Sequence, residues 1–462
     1  MIIGSFRRFL KTEKDPMADS VLKIAHLSLL IISVASMSAR AATDYIQGHI
    51  GSVSNQAHSN VGNVPGNRFN ANMFFDYHQN GDPDLVQKLE SKFSFAGLVN
   101  DQSLGMYSLQ EAYIGVNLTR NDSFKLGRQI LDWSAVDSIW GFGKLNNRRN
   151  FDYFEPGQEG LVGLQYEHRF SGGLRIGGFI SWLYVPETNP ALDINKGDKT
   201  ITSRHPWAKP PASTADGEGA NLKISYDVNQ PDIVDVIGRY SVGGNLGFET
   251  KHWVIDNFII RKPENQISLG VTFEADFVER IVDVQIDPEF YHHDVYGSTL
   301  KYRNRDVELY VSGIAVRPTT FPSGNEEATR LTEIKEQKRR EDYLGGGISK
   351  SNDLYSVGLN YVARLSPYDR VRDGLAEDPR WNQALNAFFA RSFGRKIKLS
   401  VDGKYDMLTT DRLVMFRADY KVSRNLVVNT GINMIGTPTS QESFWSPYTN
   451  NDAIYGGLKY VF

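Results

Sequence analysis

Between Asp132 and Glu159 the chain reads DWSAVDSIWGFGKLNNRRNFDYFEPGQE. The carboxylates Asp132, Asp137, Asp152 and Glu155 and an adjacent guanidinium pair (Arg148, Arg149) share this stretch with Trp133 and Trp140. Set across a narrow opening, opposed charges impose a field and a size limit on whatever passes; such a site selects solutes and makes no bonds. Bond-making chemistry has a weaker footing. Cysteine is absent, which removes thiolate metal sites, disulfides and cysteine nucleophiles together. His292 and His293 stand beside Asp294, but neighbouring strand residues point to opposite faces, so the two imidazoles cannot share one ion. No Gly-x-Ser-x-Gly elbow, His-Glu-x-x-His helix or Gly-rich phosphate loop occurs. The expectation is a protein with no enzymatic activity, metal or cofactor.

The segments that must hold such a site alternate between apolar and polar residues. In Ile267–Phe277, Ile267, Leu269, Val271, Phe273, Ala275 and Phe277 oppose Ser268, Gly270, Thr272, Glu274 and Asp276. Ile397, Leu399, Val401 and Tyr405 oppose Lys398, Ser400, Asp402, Lys404 and Asp406 in the same way. Val414, Phe416, Ala418 and Tyr420 oppose Met415, Arg417, Asp419 and Lys421. Segments of about ten residues are what a tilted strand needs to cross a membrane.

Between the segments, short polar turns such as 119–122, 229–232, 262–265 and 303–306 alternate with long connections such as 132–159, 185–218, 317–353 and 437–451. A closed up-and-down barrel with turns at one rim and loops at the other sorts its connections this way. Nineteen segments can be marked. A single-chain barrel with both ends at one rim needs an even number, so the expected fold is an all-β transmembrane antiparallel barrel of about 18 strands, with 16 or 20 allowed. The discrepancy sits at 317–381, where a further strand would be hidden.

A barrel of this size is hollow, so its polar faces would line water. Glu274, Asp276, Lys301, Lys398, Asp402, Lys404, Arg417, Asp419 and Lys421 all fall on that phase. Both signs occur, often two residues apart, which favours dipolar solutes over a strong preference for one sign of ion. Asn325–Glu341 has helical spacing and is assigned to an external loop.

Near the start, Ile24–Val34 is an apolar run too short to span a bilayer as a helix, and Ala39-Arg40-Ala41 follows it as a small-x-small site. Residues 1–41 therefore read as a cleaved signal peptide, with Met17 giving the more conventional start, and 42–462 as one barrel domain. The full chain carries a net charge of −3 with both signs interspersed, and no basic stripe points to nucleic acid.

The final strand, Ala453–Phe462 (AIYGGLKYVF), alternates in the same manner and ends on an aromatic. It resembles the C-terminal signature strand of bacterial outer-membrane β-barrels. The segment 132–159, by strand count the connection between strands five and six and so the third external loop, resembles the loop that folds into the lumen of porins, and Leu126-Gly127-Arg128-Gln129 resembles the strand motif that precedes it in porin and export-barrel families. Strict alternation turns Arg128 toward lipid, which at mid-depth costs about 2–4 kcal/mol, so a bulge or a position at the rim is required.

The resemblance is to porin-type outer-membrane barrels, and it implies a water-filled channel for passive diffusion of small hydrophilic solutes. In that reading Arg148, Arg149, Asp132, Asp137, Asp152 and Glu155 form the constriction. Membrane lipid and lipopolysaccharide surround the barrel, which is a homotrimer or a monomer. The alternatives are a surface anchor acting through external loops, and an export channel for a charged polymer.

Overall fold

The structure is a computed structural model. It describes residues 45–56, 68–79, 88–98 and 107–461, apart from 151, 191, 204, 218–219, 321–324, 336–337, 367–375, 439–442 and 450. The leader expected at 1–41 and the terminal Phe462 lie outside the described residues.

Eighteen strands form one sheet. In chain order they are Tyr45–Gln56, Arg68–Gln79, Lys88–Leu98, Tyr107–Asn117, Asp122–Gln129, Leu161–Arg169, Leu174–Ser181, Ser241–Glu249 and Trp253–Pro263. The second half is His292–Asn304, Val307–Pro318, Glu341–Ser351, Tyr355–Arg364, Gln383–Phe393, Ile397–Asp406, Arg412–Lys421, Leu426–Gly436 and Asp452–Val461. Each pairs antiparallel with the strand before it. The first pairs with the last, Ile50 opposite Leu458, so the sheet closes on itself and has no free edge.

Alternation decides which residues face out. Ile397, Leu399 and Tyr405 are exposed on the outer surface, as are Phe416 and Tyr420, Ile432 and Met434, and Ile454, Leu458 and Tyr460. An apolar belt continuous over so many strands has no place in water and fits a hydrocarbon surrounding. No described helix is long and apolar enough to cross a membrane. Connections at one rim are short (118–121, 170–173, 250–252, 305–306, 352–354, 394–396, 422–425); those at the other are long, except 407–411.

Several expectations are corrected. Ile267–Phe277, the cleanest alternating segment, is not in the barrel. Its strand Ser268–Asp276 forms a hairpin with Ile281–Glu289, which pairs in parallel with Ala220–Val228. With Thr214–Gly217 these make a separate four-stranded sheet built from long loops. Its apolar face, including Ile224, Val271, Val284 and Ile286, packs on a core closed by Ala328 and Leu331. Glu274 and Asp276 are exposed on the other face of this sheet and are not lumen residues. The reason is general: alternation reports one apolar face and is the same whether that face meets lipid or a second core.

The turns expected at 229–232 and 262–265 therefore belong to the long-loop side, the second being the end of a barrel strand. Residues 232–242, marked by their alternation as one of the nineteen segments, hold a short helix, Ile233–Ile237, followed by a barrel strand beginning at Ser241. The strand hidden in 317–381 is Glu341–Ser351, whose run Gly345-Gly346-Gly347 erases the alternation. Three segments (219–229, 232–242 and 267–277) leave the nineteen and two strands, Ser241–Glu249 and Glu341–Ser351, join, which accounts for the ring of eighteen. The helix expected over Asn325–Glu341 spans only Glu326–Thr332, capped by the Asn325 side chain, which accepts from Glu327 N and Ala328 N at 3.1 Å each.

Candidate constriction and outer vestibule

The third long loop folds into the lumen and crosses to the opposite wall. Its helix, Ala135–Trp140, begins at Ser134, whose Oγ accepts from Asp137 N, and ends at Gly141 with φ +61°. Ala135 N donates to Thr299 Oγ1 at 3.4 Å and Val136 N to Ser312 Oγ at 3.3 Å, two hydroxyls on the inner wall. Gly345 is required there, since a Cβ would lie 2.8 Å from Val136 Cγ2. The Gly-rich strand that alternation misses is thus the wall against which the loop helix packs.

The return limb is a hairpin of Asn147–Arg149 and Gly157–Glu159. It is pinned to the near wall by Arg128, whose Nη2 lies 3.2 Å from Glu159 Oε2 and whose Nε donates to Gly160 O at 2.9 Å. Gly127, at φ +129°, turns Arg128 inward, out of the lipid-facing phase expected for it. Thr188 Oγ1 donates to Glu159 Oε1 at 2.6 Å, tying the fourth loop to the same carboxylate. Burial raises the Glu159 carboxyl above its ordinary range, opposed by Arg128.

The loop-side half of the lumen is filled, in contrast to the open interior expected. Trp140 meets Trp381 edge-on with centroids 6.0 Å apart, and Trp381 meets Trp445 at 5.2 Å. Tyr153 packs on Trp207 and Tyr448, each at 5.1 Å. Phe142 stacks on the wall residue Tyr343 at 4.2 Å. These rings come from different loops and form one core with wall residues such as Ile260, Val295, Ile314 and Val362. Arg380 lies inside it, its guanidinium 5.0 Å from the Trp445 ring, donating to the main-chain oxygens of Tyr153 and Gly141. Burial, with Arg148 nearby, lowers the Arg380 guanidinium to about 9.

The turn-side half keeps a charged wall. Lys398, Asp402, Arg417, Asp419, Lys421 and Lys301 share the inner phase, with Lys404 on the same phase nearer the loop rim and Lys398 opposite Asp419 across one ladder. Arg417 Nε lies 2.9 Å from Asp419 Oδ1, and Asn386 Nδ2 donates to Asp402 at 3.0 Å.

The six residues expected at one constriction are not brought together. Asp137 is buried scaffold, accepting from Lys144 N at 2.8 Å and Leu145 N at 3.0 Å, and burial raises its carboxyl. Asp132 is exposed at the start of the loop. Arg149 is buried within the return hairpin, against Gly157. Arg148 points to the outer side, 3.6 Å from Glu187. Only Asp152 and Glu155 turn toward the charged wall, Glu155 within electrostatic reach of Lys404 and Arg417. Burial, with Glu155 adding to it, raises Asp152 to about 7, although it accepts from Phe154 N at 2.8 Å. Sequence reasoning missed Arg380, Glu187 and the aromatic partners of the loop, because contacts between separate loops leave no periodic signal.

On the outer side of the loop is a cavity of about 100 Å³. Three ion pairs line it: Lys144 to Glu341 at 2.7 Å, Lys338 to Glu264 at 2.9 Å, and the Arg148–Glu187 pair. His293 lines the same cavity, whereas the ring of His292 packs on Tyr240 at 4.9 Å. Among the described residues no three His, Cys, Asp or Glu side chains converge as metal ligands would.

No family model matches the chain, and no curated protein does. Among solved structures, the chain is similar to a mutant of the Rhodopseudomonas blastica porin, at 10% identity and a TM-score of 0.40, covering 91% of this chain and 99% of that one. It is also similar to Salmonella typhi OmpF in complex with daunomycin, at 10% identity and a TM-score of 0.45, covering 91% and 97%. The barrel stands on its own strand pairing.

Proposed function

We propose that this porin-type barrel is an outer-membrane channel for passive diffusion of small hydrophilic solutes, exported by the leader at 1–41 and surrounded by lipid and lipopolysaccharide as a monomer or homotrimer. The observation that carries the reading is Glu155, on a loop folded into the lumen, within electrostatic reach of Lys404 and Arg417 on the wall, with Asp152 beside it near Arg149 and Arg380. Opposed charges across a wet gap give a field that dipolar solutes align with, at little cost to ions of either sign. The aromatic packing of the connections 130–160, 182–240, 365–382 and 437–451 restricts the outer half, so the channel is narrow or opens by movement of those loops.

A second reading, a surface anchor that binds a partner through its loops, draws support from the loop-built sheet, whose hairpin tip exposes Phe277 and Val278. Export of a charged polymer is disfavoured by the mixed signs of the wall. Planar-bilayer recording separates these readings. The channel predicts stable conductance steps whose preference moves toward cations in K404E/R417E. Silence across voltages in correctly folded barrel would favour the anchor.

A further inference from the structure

We infer that the cavity on the outer side of the third loop is a binding site for a small, net-neutral zwitterion of the free α-amino acid type. The inference rests on the channel reading and names a solute class for its outer vestibule. The three ion pairs lining the cavity cancel. The two remaining charges on its lining, Arg339 and Glu377, cancel as well. A solute with net charge would enter uncompensated, whereas a dipolar one of zero net charge finds both signs within reach.

Two buried polar atoms point to a ligand. Arg148 Nε and His293 Nε2 are shielded from solvent and have no hydrogen-bond partner, and both side chains line the cavity. Buried polar atoms without partners are uncommon because each costs about 1–3 kcal/mol. A carboxylate entering beside them would take a hydrogen bond from each as the side chain turns toward the cavity, with His293 protonated at Nε2. Arg148 is held in place from below: at Gly143 (φ +67°) a Cβ would meet its side chain at under 3 Å, so only glycine lets it lie flat. The opposite pole is Glu377, exposed at the rim, whose carboxylate forms no ion pair among the described residues. An ammonium group there completes the dipole. Where one water needs about 10–15 Å³, a cavity of about 100 Å³ has room for the six non-hydrogen atoms of alanine.

Calorimetry on the detergent-solubilised full chain tests this, with L-alanine as probe and acetate and methylammonium as its two halves. We expect saturable millimolar binding of alanine, at least tenfold tighter than either half. E377Q, at an exposed position that leaves folding intact, should weaken alanine tenfold and leave acetate unchanged; G143A, by displacing Arg148, should weaken both. Alanine binding no tighter than acetate, or indifferent to E377Q, overturns the inference. Conductance of the same preparation is read separately: a conducting barrel that ignores alanine removes the site and keeps the channel, and a silent barrel that binds alanine does the reverse.

Discussion

Arg128 and Glu159 are joined by an ion pair of 3.2 Å in which both side chains are almost wholly buried, and it fastens the end of the inserted loop to the strand that precedes it. Removing one member leaves the other charge buried without a partner, which typically costs about 3–5 kcal/mol. E159Q should therefore lower the unfolding temperature of the barrel and loosen the return hairpin to proteolysis. The double change R128M/E159L, which removes both charges, should recover most of the loss. Equal damage in the single and double variants would show that the pair does not act as a unit.

Arg380 ties the seventh long loop to the third through the main-chain oxygens of Tyr153 and Gly141 and through the Trp445 ring. R380A forfeits on the order of 3 kcal/mol of these contacts. The outer half of the lumen should then loosen, with larger single-channel steps and faster uptake of small sugars into liposomes. Conductance equal to that of the unmodified protein would mean that this cluster does not restrict the path.

Asp152 should make ion selectivity depend on pH near neutrality. Its carboxyl, raised to about 7, is neutral below that value and anionic above it. Cation preference should rise as pH passes from 6 to 8, and D152N should abolish the change. The linked effect on stability has the same origin: because the folded value lies above the unfolded one, the group contributes stability at low pH that is lost as pH rises through about 7. A selectivity that is flat from pH 6 to 8 in the unmodified protein would remove Asp152 from the conducting path.

Gly345 keeps the loop helix against the wall. G345L would drive a side chain into Val136, 2.8 Å from the new Cβ, at a cost of about 1–3 kcal/mol. The helix should be displaced, giving a more permeable barrel with a lower unfolding temperature. Gly313 faces outward on the neighbouring strand, and a Cβ there meets nothing closer than 3.6 Å, so G313A serves as the control.

The sequence by itself determined the all-β class and the alternation of turns and loops over most of the chain. These are local properties: a period of two assigns each side chain to a face whatever its neighbours do. It also required a bulge or a rim position at Arg128, because a lone charge in lipid is too costly; Gly127, at φ +129°, turns the side chain inward.

Only the tertiary structure decided which apolar faces meet lipid and which meet protein. Ser268–Asp276 and Ile397–Asp406 read alike, yet the first closes a second core above the barrel and the second faces outward to the surroundings. It also decided that Asp137 is scaffold, that Arg148 and Asp152 lie on opposite sides of one loop, and that aromatic rings from several loops fill the outer lumen. Such contacts join residues hundreds of positions apart, and burial between loops depends on where the ring of strands brings their ends together, which no local period encodes.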